Sequence, residues 1–144
     1  SIAVVLGGAI GLAAVGLAHW RLMRRDARPG GVALTAVALL LVTVLTDKVF
    51  SPQYLLWLVA VLVVACLLDP DTWRPYVPWA LLVCALTAVA FPWFYRDVLG
   101  AGWVGLLALT ARDVVLLGMA AAVGRQLAQR IRAIDEPAAS GASQ

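Results

Sequence analysis

The sequence predicts an all-α, polytopic membrane protein of about five transmembrane helices, and three observations predict it. Hydrophobic residues fill 63% of the 144 positions and charged residues 13%, where soluble domains hold about 45–50% and about 25%. The charges fall in short clusters between long uncharged runs, as a bilayer crossed about every twenty residues demands. The mean hydropathy of +0.93 is more than a water-soluble fold of this size can hide.

The elements follow in order. The first uncharged run, 1–18, ends on His19, Trp20 and Arg21, an aromatic and cationic anchor. Gly7 and Gly11 form a GxxxG that Ala14 and Ala18 extend; the face either admits another helix closely or simply reflects a chain rich in Gly and Ala. Further spans are expected near 30–46, 52–68, 76–95 and 103–124, so the membrane domain covers 1–132. The polar stretch 133–144 is expected to be a disordered tail. The chain enters its first apolar run at Ser1 without the charged leader of a signal peptide, so it is expected to continue a longer protein. Cys66 and Cys84 lie inside apolar runs and are expected to serve as small apolar residues.

Charge sets the sidedness. Arg21, Arg24, Arg25 and Arg28 in the first loop, Arg74 in the third and Arg125, Arg130 and Arg132 in the tail oppose Lys48 and Arg96 in the second and fourth. The bias puts the N-terminus outside, the tail in the cytoplasm, and the segments around Lys48 and Arg96 outside the cell membrane. The formal charge of +3 therefore reads as a topology determinant, and no nucleic-acid partner is expected.

The segment TDKVFSPQYLLW, 46–57, joins a cation to a helix start. Pro52 suits the first helical position and Ser51 the N-cap. A helix N-terminus with Lys48 beside it favours an anion, and a phosphate is the natural one. Gln53 and Trp57 share a helix face, offering an amide to hydroxyls and an aromatic plate to a sugar or isoprenoid, with Tyr54 on the neighbouring stripe. The bland alternative is a Ser-Pro helix start, a snorkelling Lys and an aromatic belt.

KVFSPQYLLWLVAV, 48–61, resembles the signature stretch of polyprenyl-phosphate-sugar-dependent glycosyltransferases of the GT-C superfamily, closest to the actinobacterial integral-membrane mannosyltransferases of glycosyltransferase family 87. A related KV-x-SQY pattern occurs in eukaryotic GPI mannosyltransferases. The resemblance spans fourteen positions, and the surrounding helices agree only in character. It implies the C-terminal part of a GT-C fold and transfer of a mannosyl or similar residue from a polyprenyl-phosphate donor to an extracytoplasmic glycolipid or glycan. It maps the family's Lys, Ser, Gln and Tyr onto Lys48, Ser51, Gln53 and Tyr54. The family's catalytic acid is expected in an outer loop upstream of Ser1, which would leave this chain inactive alone.

Arg112 and Asp113 interrupt the last run, and ionisable residues at such depth face the bundle interior or a wet cavity. Arg112 is a candidate to share the donor phosphate with Lys48; the alternative is an Arg that snorkels outward or pairs with an acid. Asp47 and Asp97 each adjoin a cation, which weakens a carboxylate as a base. The aromatic cluster FPWFYRD, 91–97, fits either a substrate groove or an interfacial belt. No zinc site, nucleotide-binding glycine loop or serine triad is present, so no cofactor is expected. The competing function is a transporter or permease in which 46–57 gates substrate and Arg112 with Asp113 forms an intramembrane ion pair; a structural membrane subunit is a third.

Overall fold

The computed structural model describes residues 2–25, 28–46, 52–93, 95–100 and 102–140. Helix α1 spans Ile2–Arg25, α2 Pro29–Thr46 and α3 Pro52–Leu68. The fourth column is compound: α4, Pro70–Trp73, passes through a 3-10 turn, Arg74–Tyr76, into α5, Val77–Ala88, and then a π-helical stretch, Val89–Trp93. Helix α6, Tyr95–Leu99, turns the chain into α7, Trp103–Ser140. No strand occurs among the described residues. Among the described residues four helical columns are long and apolar enough to cross a membrane, and Gln53–Leu68 is a shorter apolar helix beside them. The protein is all-α and polytopic.

Helix α2 is the hub. Its buried residues, among them Ala33, Leu34, Val37, Ala38, Leu41 and Val44, face in several directions, and it packs on α1, α3 and α7. Each neighbour offers one apolar stripe: Leu55, Leu58, Leu62 and Ala65 on α3, and Ala108, Leu116, Met119, Val123 and Leu127 on α7. The other sides stay apolar, with Leu56, Leu67, Leu81 and Leu107 all more than 60% exposed, as lipid requires and water forbids.

Three boundaries differ from expectation. The fourth column starts at Pro70 rather than near 76, because Asp69 caps α4, its Oδ1 accepting from the Thr72 N–H at 3.4 Å, and Pro70 stands where the missing N–H costs nothing. Trp73 is thereby drawn to 0% exposure, packed on Tyr76 with ring centroids 5.4 Å apart. At the far end Phe91 leaves the helix (φ −135°, ψ 118°), since the helical region is disfavoured for a residue that precedes proline. Finally, α7 passes the expected limit at 132 and continues to Ser140, where Leu127, Ile131 and Ile134 prolong its apolar stripe; residues 141–144 lie outside the described set.

The small-residue face of α1 is also offset from the expected one. Gly8, Val15, Ala18 and Leu22 are buried while Gly7 and Ala14 are exposed. A Cβ on Gly8 would lie 3.0 Å from Thr46 Cβ and one on Gly11 2.9 Å from Val42 Cγ1, whereas one on Gly7 would meet nothing within 4 Å. The close approach is therefore to α2, along Gly8 and Gly11.

Candidate functional site

Connections fix which residues share an end of the bundle. Arg130 Nη2 bonds Asp69 Oδ2 at 3.2 Å, and a Cβ on Gly30 would touch both side chains, so the starts of α2 and α4 and the last turns of α7 lie together. The end of α1 joins them, because Trp20, Arg24, Ile131 and Ile134 line one cavity of about 330 Å³. Arg24 sits 4.1 Å over the Trp20 ring. The helix ends flanked by the first and third loops and by the arginines of α7 thus gather at one end. The start of α3 and the turn from α6 to α7 lie at the other, where the Val98 backbone lies 2.9 Å from a Cβ built on Gly105.

The described part of the candidate segment, Thr46 and residues 52–57, lies at that second end. Lys48 and Ser51 fall outside the described residues, as does Asp47. Helix α3 starts at Pro52. Gln53 is exposed, Trp57 is 55% exposed, and Tyr54 is half-buried against the core. The rings of Tyr54 and Trp57 meet edge to face, centroids 5.4 Å apart and planes at 72°. The favourable contact of ring edge with ring face holds Trp57 beside Tyr54 and leaves its outer face open.

Arg112 lies on α7. It occupies a core position of the α7 stripe at 5% exposure, and its Nε and Nη2 donate to Asp113 Oδ1 at 2.9 and 2.6 Å. Helix α7 packs on α2, α5, α6 and α1, whereas α3 packs on α2, α4 and α5. The fold brings Gln53, Tyr54 and Trp57 together and leaves Arg112 on a separate helix.

Other polar residues have structural partners. His19 Nδ1 lies 2.9 Å from Thr35 Oγ1 across α1 and α2. The Thr35 hydroxyl also lies 3.1 and 3.0 Å from the Gly31 and Val32 carbonyls, and with its proton on either of them it accepts from the imidazole N–H. Cys66 and Cys84 are free thiols, both half-buried. Among the described residues, no group of three His, Cys, Asp or Glu is placed to hold a metal.

The junction of Asp69, Arg130 and Gly30 escaped the sequence reading. Asp69-Pro70 carries the same cap-and-proline signal as Ser51-Pro52 and marks the helix start, but its partner lies 61 residues away and leaves no local trace. Hydrogen bonding from the Thr72 side chain and backbone, and then Arg130, hold the Asp69 carboxyl below its ordinary 3.8 against the opposing effect of burial.

No protein-family model matches the chain, and no curated protein or solved structure proves similar to it.

Proposed function

We propose that this chain is the membrane part of a GT-C type glycosyltransferase, resembling glycosyltransferase family 87, that moves a mannosyl or similar residue from a polyprenyl-phosphate donor to an extracytoplasmic glycolipid or glycan. One observation carries the reading: the motif segment opens α3 at the end of the bundle opposite the arginine-rich end. The positive-inside rule makes the arginine-rich end cytoplasmic, so the motif meets the outer leaflet of the cell membrane.

On this reading the donor phosphate rests against Lys48 and the helix start at Ser51, where a cation and free N–H groups stabilise the charge left on the departing lipid phosphate. Gln53 and Tyr54 offer hydrogen bonds to sugar hydroxyls, and the open face of Trp57 takes the sugar or the first isoprene unit. Arg112, whose Nε and Nη2 already donate to Asp113, is the weakest member of the set. No residue of the chain is assigned as the base. The test is direct: incubate the intact enzyme in membranes with labelled polyprenyl-phosphate mannose. Label appearing in a glycan or glycolipid supports the proposal, and label crossing the membrane without transfer overturns it.

A second reading, a transporter or permease, has the Arg112–Asp113 ion pair in its favour, since paired charges inside a membrane span commonly mark a substrate or ion path.

A further inference from the structure

Asp113 carries an inference that is independent of the glycosyltransferase reading. It lies ten residues after Trp103 and twelve before Arg125, which is about 15 Å and about 18 Å along the helix axis at 1.5 Å per residue. That is the middle of a hydrocarbon core about 30 Å thick. Its side chain is 53% exposed there. Both bonds from Arg112 go to Oδ1, and Oδ2 accepts nothing from any described residue. A carboxylate oxygen facing acyl chains at this depth is strongly unfavourable.

The residues around it are spaced for helix packing. Leu106, Thr110, Asp113, Leu117 and Gly124 recur at steps of four, three, four and seven and are all exposed on one side of α7, the spacing of a seam between two helices. The Thr110 hydroxyl donates to the Leu106 carbonyl at 2.8 Å, so it leaves Asp113 without a donor. A Cβ on Gly124 would meet nothing within 4 Å, which leaves room for a neighbouring backbone.

We propose that this face of α7 docks a further transmembrane helix, neither one of those described nor a second copy of α7, which donates a hydrogen bond to Asp113 Oδ2 at mid-bilayer depth. A second copy is disfavoured by charge: a twofold contact through this seam would set two acceptor-only carboxylates face to face. The partner therefore carries a hydroxyl, amide or imidazole at the matching level.

The test places a nitroxide at Leu117, through Leu117→Cys with Cys66→Ala and Cys84→Ala, in the protein as it stands in its producing membranes. Ile10, 69% exposed on α1, is the lipid-facing control. Collision rates with oxygen and with a water-soluble nickel chelate are both expected to be lower at Leu117 than at a lipid-facing or wet site. Asp113→Leu should weaken docking about threefold, the worth of one interhelical hydrogen bond in a membrane, and raise the oxygen rate toward that at Ile10, while Asp113→Asn, which keeps the acceptor oxygen, should not. Oxygen access equal to that at Ile10, strong nickel access, a disulfide-linked dimer through position 117, or protection that survives Asp113→Leu would each overturn the proposal.

Discussion

Asp69 closes two helices at once: its Oδ1 caps α4 through the Thr72 N–H and its Oδ2 receives Arg130 of α7 at 3.2 Å. The two oxygens do separable work, so substitutions at 69 should be graded. Asp69→Asn keeps a capping oxygen and loses the ion pair, which is partly exposed and contributes about 0.2–1 kcal/mol. Asp69→Ala loses both and should cost about 1–2 kcal/mol more than Asp69→Asn. Arg130→Ala should match Asp69→Asn. Unfolding in mixed micelles measures all three.

The same carboxyl gives a pH dependence with a definite sign. Because hydrogen bonds from Thr72, then Arg130, lower its pKa in the fold, its contribution is complete above the ordinary carboxylate value of 3.8 and is lost as pH falls through the lower folded value. The stability difference between the parent and Asp69→Asn should stay constant from neutral pH down to about 4 and shrink below that. A difference that grows on acidification would contradict the assignment.

The α1–α2 contact predicts a contrast between glycines four residues apart. Gly11→Leu drives a side chain into Val42 and should cost about 1–3 kcal/mol. Gly7→Leu meets open space and should stay within about 0.5 kcal/mol of the parent. A loss at Gly7 without one at Gly11 would show that the seam runs along Gly7 instead.

The spans were legible because lipid imposes a coarse pattern, long runs without charge, that survives any detail of packing. The register of α1 was not, since Gly7, Gly8 and Gly11 are alike in sequence and only Val42 and Thr46 on α2 choose among them. Arg112 was legible as an interior residue from its depth. Its pairing with the adjacent Asp113 was one of several readings the sequence left open, and a rotamer decides among them. Of the candidate site, the common face of Gln53 and Trp57 follows from helical spacing alone, and both are exposed. The edge contact from Tyr54 that steadies Trp57 needed coordinates.

His19 and Thr35 offer a test of polar bonding between helices. Thr35→Val keeps the shape and removes the hydroxyl partner of the imidazole, at an expected cost of about 0.6 kcal/mol. His19→Ala in a Thr35→Val background should add little beyond its packing loss. A double-mutant cycle that gives no coupling would mean the bond contributes nothing.

If the proposed donor site is right, Lys48→Ala should cut transfer from polyprenyl-phosphate mannose by about 100-fold or more, the scale on which removing one charge-stabilising group acts. Trp57→Ala should chiefly raise KM, because stacking holds the ground state and transition state alike. Arg112→Met should leave transfer within a few-fold, as its guanidinium is already engaged by Asp113.

The most direct test of the whole account is sidedness. With Cys66 and Cys84 replaced by Ala, single cysteines at Gln53 and at Ala133, both exposed and at opposite ends of the bundle, are challenged in intact cells with a membrane-impermeant maleimide. Labelling of Gln53→Cys from outside, with Ala133→Cys reacting only after lysis, is the predicted result. The reverse pattern would put the lysine and the start of α3 in the cytosol and contradict the assignment of an extracytoplasmic glycosyltransferase.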